Sequence, residues 1–126
     1  MNPFRLTRLR RIARVEQRYQ LALIDSLDGR VDGRFLDFAR DEVAAGESHL
    51  AFDTLFENLR EENARLSHEQ VERFVEVARA LRLPFERYEH LAELEEFPED
   101  VDPAAPVLPE APPSIREAAR HVRDED

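Results

Sequence analysis

Residues 35–59, FLDFARDEVAAGESHLAFDTLFENL, decide the fold of this chain because they read as two amphipathic helices that meet at one glycine. The first helix spaces its apolar residues by three and four, which places on one face Phe35, Leu36, Ala39, Val43 and Ala44. The second repeats the pattern with Leu50, Ala51, Leu55, Phe56 and Leu59. Gly46 lies where a helix end favours positive φ, and Glu47 and Ser48 suit the next helix start. We therefore predict a helical hairpin that buries its apolar face.

The same stretch carries a family resemblance. The run Asp41-Glu-Val-Ala-Ala-Gly46-Glu47, followed by Leu50-Ala51, Leu55 and Asn58-Leu59, resembles small bacterial MafI-type immunity proteins. In that family an acidic loop then leads to a serine-capped helix, which here corresponds to residues 60–67 and the apolar positions Val71, Phe74, Val75, Ala78 and Leu81. The resemblance covers residues 33–83. It implies a protein that neutralises a cognate bacterial toxin by binding it.

Composition narrows the class of protein. The chain has 126 residues, which suits one domain with a small core, and 37% of them are charged. It has no cysteine, so disulfides, thiolate catalysis and cysteine-ligated zinc are excluded. The sequence contains neither a secretory apolar region nor an apolar run of about 20 residues. We therefore expect a cytoplasmic protein that makes no membrane contact.

Charge is unevenly distributed along the chain. Residues 1–30 hold seven arginines and three acids, a net charge of +4, whereas residues 31–126 hold eleven arginines and twenty-five acids, a net charge of −14. A surface this acidic repels nucleic acid and favours a basic partner.

The first helix is predicted from Pro3 to about residue 27. Its apolar stripe consists of Leu6, Leu9, Ile12, Ala13, Leu23, Ile24 and Leu27. Five arginines crowd the rest of this helix, namely Arg8, Arg10, Arg11, Arg14 and Arg18. One interpretation is that they pair with the acidic body of the protein. The other is that this basic helix contacts nucleic acid or lipid.

The remaining sequence predicts two more helices and a tail. Ser67 and Gln70 form a capping box for the fourth helix, and Pro84 ends it. A short fifth helix is predicted from Phe85, Tyr88, Leu91, Leu94 and Phe97. The predicted fold is therefore all-α, a compact bundle of four to five short helices over residues 1–97.

Residues 98–126 form a separate, Pro-rich acidic tail in this prediction. Residues 98–113 hold six prolines and four acids, which favours extended chain. Ser114 and Glu117 then form a second capping box, which predicts a short terminal helix. The tail can be disordered, fold back onto the bundle or order on a partner.

No catalytic, cofactor or metal site is predicted. The sequence has no Glu-x-x-His pair of the kind that a di-metal bundle needs. Its four serines fit turns or caps, and its three glycines provide no phosphate-binding loop. Residues 28–33 form an Asp/Gly-rich turn that lacks the alternating acids of a calcium loop. We therefore expect a protein that is not an enzyme.

The candidate binding site is the acidic side of the hairpin. Exposure and charge select the contact set Asp41, Glu47, Asp53, Glu57, Asn58, Glu61 and Glu62. Such acids commonly serve solubility, but they also complement a basic partner through charge-assisted hydrogen bonds. With the resemblance, they predict an immunity protein that covers the active or substrate-binding surface of a toxin, nucleases being one such class.

The alternative is a small helical regulator or adaptor. In that hypothesis the basic first helix contacts nucleic acid through Arg8, Arg11 and Arg14. The sequence does not decide the oligomeric state.

Overall fold

The computed structural model describes residues 2–95 and 107–122, and the all-α fold is confirmed there. Five α-helices follow one another: α1 (Pro3–Asp25), α2 (Gly33–Ala44), α3 (Ser48–Glu61), α4 (His68–Ala80) and α5 (Pro113–Arg120). Two short 3-10 helices, Phe85–Arg87 and Glu89–Leu94, follow α4. No β-strand forms in these two ranges, where a parallel bridge pairs Leu66 with Glu95.

The hairpin of α2 and α3 is confirmed. Gly46 has a φ of +82°, which residues with a side chain rarely adopt. Most of the apolar face of each helix is buried, whereas the predicted members Ala44 and Leu50 are exposed. The buried side chains of the two helices are Leu36, Ala39, Val43, Ala51, Phe52, Leu55, Phe56 and Leu59. At the centre the rings of Phe52, Phe56 and Phe74 lie with centroids 6.0 to 6.3 Å apart, which ties α3 to α4.

Arg40 stabilises the turn between α1 and α2 through three ion pairs. The guanidinium of Arg40 binds the carboxylates of Asp25 at 2.8 Å, Asp28 at 3.0 Å and Asp37 at 3.0 Å. These bonds raise the pKa of Arg40, chiefly through the hydrogen bond to Asp25. Asp32 then caps α2, since its side chain accepts a hydrogen bond from the backbone N–H of Arg34. The Asp/Gly-rich segment is therefore a turn, as its sequence predicts.

The predicted cap of α3 differs from the structure. Glu47 occupies the N-cap position without a side-chain hydrogen bond. Ser48 instead donates a hydrogen bond of 2.6 Å to Oε1 of Gln20 on α1. A tertiary contact has therefore replaced the local cap that the sequence suggests.

The capping box of α4 is confirmed in both directions between Ser67 and Gln70. The amide of Gln70 is also buried, and it donates to the carbonyl of Ser26 at 3.0 Å. α4 ends at Ala80, and the chain turns at Arg82, whose φ is +59°.

The predicted fifth helix is helical in the structure, but as two short 3-10 helices over residues 85–94 and not as one continuous helix. Tyr88 separates them with a φ of −132°, outside helical geometry. Tyr88, between the two 3-10 helices, and Leu91, in the second, are both buried. Phe97 lies outside the described residues.

Residues 107–122 fold back onto the bundle. Their buried side chains include Leu108, Ala111, Ile115 and Ala119, and α5 packs mainly against α4. Nη2 of Arg79 on α4 donates to the carbonyl of Val122 at 2.6 Å. The predicted capping box at Ser114 is wrong, because α5 already begins at Pro113, which needs no N–H partner. Residues 98–106 and 123–126 of the predicted tail lie outside the described ranges.

α1 is buried along only part of its length. Tyr19, Leu23 and Ile24 belong to the core, whereas every residue from 2 to 15 is exposed. The apolar stripe of α1 is therefore covered in its second half alone. The sequence allowed the arginines of α1 to pair with the acidic body of the protein, but this pairing is not seen. Within the described residues, no arginine between residues 2 and 18 makes an ion pair.

Candidate functional site

Most of the predicted contact residues lie at exposed or half-buried positions of α2, of α3 and of the turn between them. We give the name hairpin face to a set of exposed and half-buried residues of these elements, namely Phe38, Asp41, Glu47, Leu50, Glu57, Asn58 and Glu61. On α3, the buried positions Ala51, Leu55 and Phe56 leave Glu57 and Glu61 pointing away from the core. The face is thus the solvent side of two packed helices.

Four carboxylates on the hairpin face make no direct ion pair among the described residues, although Glu57 lies near enough to Arg87 to contribute to the raised pKa of that guanidinium. Within residues 2–95 and 107–122, no ion pair or side-chain hydrogen bond is made by Asp41, Glu47, Glu57 or Glu61. Glu57 and Glu61 lie one helical turn apart, so their charges repel each other. A basic partner would relieve this repulsion, and that makes the face suited to bind one.

Asp53 belongs to the predicted set, but its charge is already paired. Its carboxylate receives two hydrogen bonds from Arg87, with Nε–Oδ1 at 2.7 Å and Nη2–Oδ2 at 3.2 Å. The hydrogen bond to Asp53 is the largest cause of the raised pKa of Arg87. Asp53 therefore anchors the first 3-10 helix to α3 and is less available to a partner than Glu57.

Glu62 also has an internal role. Its Oε2 accepts a hydrogen bond of 3.0 Å from the backbone N–H of Asp32, just before α2. The carboxyl of Asp32 in turn binds Arg34, and these hydrogen bonds lower the pKa of Asp32 to about 2. Glu62 and Asp32 thus close the open end of the hairpin, opposite Gly46.

The sequence interpretation missed two apolar members of the hairpin face. The side chain of Phe38 is 42% exposed and that of Leu50 is 47% exposed, although both belong to apolar-rich helices. Phe38 could have been found, because it lies about 160° around α2 from the buried Leu36. Leu50 was assigned to the buried stripe, and this assignment is wrong. Its neighbour Ala51 takes the buried position.

An open groove of about 340 Å³ borders the hairpin face at Leu50. Its walls are His49, Leu50, Asp53, Leu83, Pro84 and Arg87. The groove is shallow and joins the start of α3 to the first 3-10 helix. It offers a partner side chain an apolar contact beside a paired charge.

A larger groove, of about 720 Å³, lies between α4 and α5. Its charged walls include Arg73, Glu76, Arg79 and Arg116. Arg79 holds the end of α5 there, and Arg116 faces Glu110 at 3.7 Å. We interpret this groove as the seam along which α5 docks.

The histidines lie apart from one another. His90 is buried and bonds through Nε2 to the carbonyl of Phe56 at 2.9 Å. The imidazole of His68 contacts the carboxylates of Glu95 at 2.7 Å and Glu72 at 3.0 Å. The pKa of His68 is raised, and the hydrogen bond to Glu95 is the largest cause. No group of three or more potential ligand side chains is placed to hold a metal ion in the described residues.

Two further observations bear on function. Over the two described ranges, no helix combines the length and the apolar character needed to cross a bilayer. The chain significantly matches no protein-family model, curated protein or solved structure. The resemblance over residues 33–83 therefore remains a hypothesis carried by those residues.

Proposed function

We propose that this chain is a non-catalytic, cytoplasmic immunity protein that binds and neutralises a cognate bacterial toxin. The hairpin face covers a basic surface of the toxin, such as the mouth of its active site or the surface that holds its substrate. A nuclease is one fitting class of toxin, because its substrate-binding surface must attract phosphates.

The observation that carries this proposal is the set of carboxylates on the hairpin face that make no direct ion pair within the described residues. A carboxylate without a direct ion pair in its own chain can form a charge-assisted hydrogen bond to an arginine or lysine of a partner. Phe38 on α2 and Leu50 on α3 add exposed apolar area to the same two helices, and buried aromatic and aliphatic anchors commonly dominate binding energy.

Occlusion needs only a rigid and complementary surface. The hairpin face is supported from beneath by the aromatic contacts among Phe52, Phe56 and Phe74. It is closed at its ends by Gly46 and by the hydrogen bond between Glu62 and Asp32. A preorganised surface loses little conformational entropy on binding, which favours a tight complex.

The testing experiment is affinity capture from the native cell with the tagged full-length chain. We expect recovery of a larger protein that carries a basic, toxic domain. The double variant Glu57→Arg/Glu61→Arg should lose most of the captured protein while keeping its helical circular dichroism. The matched control is Glu89→Arg/Glu93→Arg, with the same spacing and charge change on the second 3-10 helix, and it should capture normally. Equal capture by both variants would place the binding surface elsewhere.

A second candidate function is supported by the exposed arginines of α1. If the chain is a regulator that contacts nucleic acid, gel-shift binding should weaken steeply with salt. It should also disappear in the variant Arg8→Ala/Arg11→Ala/Arg14→Ala. Absence of any shift at low salt would remove this candidate.

A further inference from the structure

The end of α4 is a hydrogen-bonded turn that forces one residue into the left-handed region. The backbone N–H of Leu83 donates to the carbonyl of Ala78 at 3.0 Å, and that of Arg82 donates to the carbonyl of Arg79 at 3.0 Å. These two bonds together form a Schellman motif, in which the residue just after the helix takes a positive φ. That residue is Arg82, with a φ of +59°.

The same motif ends α2 and α3, so the molecule itself offers a comparison. The left-handed residue is Gly46 after α2 and Asn63 after α3, with φ values of +82° and +50°. Glycine is the usual residue at this position and asparagine is tolerated, whereas a longer side chain is disfavoured. Among these three helix ends, α4 alone has a long side chain at the left-handed position.

The side chain of Arg82 does not repay this conformational cost within the chain. It is exposed, and within residues 2–95 and 107–122 it makes no ion pair or side-chain hydrogen bond. Residues held in an unfavourable backbone conformation without a structural reason are concentrated at binding sites. Arg82 is therefore a candidate for contact with another molecule.

Arg82 lines an open groove of about 280 Å³ at the end of α4. Its other walls are Leu83, Pro84, His121 and Val122, and we call it the Arg82 groove. The guanidinium and the imidazole supply hydrogen-bond donors, while the leucine, proline and valine supply apolar surface. None of these five lining residues carries a carboxylate. The groove therefore combines a positive charge with an apolar wall.

A second groove continues this surface. Leu83 and Pro84 also line the groove of about 340 Å³ that contains Leu50, so the two grooves lie on either side of these two residues. Leu50 is 47% exposed there. The carboxylate of Asp53 in the second groove is paired with Arg87. A bound segment that crosses Pro84 thus meets apolar side chains and the unpaired charge of Arg82.

These properties select the chemistry of the ligand. A guanidinium binds a carboxylate with two parallel hydrogen bonds, and an apolar wall binds an aliphatic or aromatic side chain. Residues 31–126 carry a net charge of −14, so a ligand with many negative charges is repelled around the groove. Nucleic acid is such a ligand, because every nucleotide carries a phosphate. A protein segment can instead present a single carboxylate beside an apolar residue.

We propose that the Arg82 groove binds a short segment of a partner protein in which an aspartate or glutamate lies next to a large apolar residue. The carboxylate pairs with the guanidinium of Arg82 and accepts a hydrogen bond from His121. The apolar side chain packs across Leu83 and Pro84 towards Leu50. This site depends on Arg82 and on none of the acids of the hairpin face, so it holds whether or not the chain neutralises a toxin.

The first test separates the conformational cost from the role of the side chain. Arg82→Gly should raise the urea midpoint by a few tenths of a molar, roughly, because glycine accepts a positive φ. Arg82→Ala keeps the unfavourable conformation and should stay near the wild-type midpoint. Asn63→Gly is the control at the equivalent position of α3 and should raise the midpoint less than Arg82→Gly. A lower midpoint for Arg82→Gly would show that Arg82 supports the fold, and would overturn the proposal.

The second test measures binding with a display library of random seven-residue peptides and the immobilised full-length chain. We expect the enriched peptides to share an acid within two residues of a large apolar residue. A synthetic peptide of this type should bind Arg82→Gly and Arg82→Ala about tenfold more weakly than wild type, because a hydrogen bond to a charged group is lost. Arg116→Ala removes the same charge outside the groove and should bind like wild type, as should Asn63→Gly.

The combination of the two tests is specific to a binding residue. Arg82→Gly should be more stable than the wild type and yet bind the peptide more weakly, which a residue with only a structural role would not show. No enrichment, enriched peptides without an acid, or unchanged affinity in Arg82→Ala would overturn the proposal. 3-Methylbutanoate, a free carboxylate with a branched apolar tail, should bind far more weakly than the peptide. Equal affinity would assign the groove to a small carboxylate and contradict a protein partner.

Discussion

The guanidinium of Arg87 holds the carboxylate of Asp53 at two points, 2.7 Å and 3.2 Å, and so joins the first 3-10 helix to α3. One turn further along α3, Glu57 has no such partner in the described residues. Two acids on the same helix thus have different roles. Asp53 supports the fold through this pair, whereas Glu57 makes no direct ion pair in the described part of the chain and is the acid to which the proposed function assigns partner binding.

This difference predicts unequal effects on partner affinity. Glu57→Gln should weaken binding of the captured partner about tenfold or more, because a hydrogen bond to a charged group contributes about 1.5 to 3 kcal/mol. Asp53→Asn should change the affinity less than about threefold, since its charge is already neutralised. Titration calorimetry measures both, with Glu89→Gln as the control. A larger loss at Asp53 than at Glu57 would contradict the assignment.

The hairpin turn predicts a position-specific effect of alanine. Gly46→Ala should lower the free energy of unfolding by about 1 to 2 kcal/mol, because a side chain is disfavoured at a φ of +82°. No neighbouring atom lies within 4 Å of the added Cβ, so the cost is conformational alone. Gly33→Ala at the start of α2 should instead be neutral or stabilise by up to about 1 kcal/mol. Urea unfolding of the two variants compares them, and equal effects would refute this explanation.

Docking of residues 107–122 predicts that a residue far from the hairpin supports the whole fold. Ile115 is 2% exposed, and Ile115→Ala should lower the free energy of unfolding by about 2 to 4 kcal/mol. Val107 is 95% exposed, so Val107→Ala should change stability by less than about 0.5 kcal/mol. Chemical denaturation monitored by circular dichroism gives both values. A negligible effect of Ile115→Ala would mean that α5 does not contribute to the core.

The two carboxylates around His68 predict a pH-dependent contribution to stability. Its pKa is raised in the folded chain, so the protonated ring stabilises the fold fully below the ordinary value of 6.5. That contribution is lost as pH rises through the folded pKa. The urea midpoint of the wild type should therefore exceed that of His68→Gln by more at pH about 6 than at pH about 8.

The matched control is His49→Gln, which removes an exposed histidine on α3 that makes no ion pair in the described residues. Its midpoint difference from the wild type should not follow the same trend. If the difference in urea midpoint between the wild type and His68→Gln grew as the pH rises, the prediction would be wrong.

Local sequence patterns predict the hairpin and the capping box of α4. They fail where a contact between residues far apart in the sequence replaces a local one. Ser48 suggests a cap, yet it bonds to Gln20, which is 28 residues away. Residues 85–94 suggest one short helix, yet they form two 3-10 helices, in which Arg87 is anchored to Asp53 and between which Tyr88 is buried.

The candidate site was predictable in its charge but not in its detail. Asp41, Glu57 and Glu61 could be selected because they lie off the apolar stripe of their helices, and Glu47 because it lies in the turn between the two helices. The internal partners of Asp53 and Glu62 could not be read from spacing, since Arg87 and Asp32 reach them across 34 and 30 residues.

The sequence by itself determined the all-α fold, the turn at Gly46 and the acidic outer side of the hairpin. Each depends on residues within a few turns of one another, so periodicity and capping suffice. Only the tertiary structure decided which acids make ion pairs within the chain and at which residue the apolar stripe of α1 becomes exposed. The 23 residues of α1 are about twice the 12 of α2, so an apolar stripe that is continuous in sequence runs past the helix against which it packs.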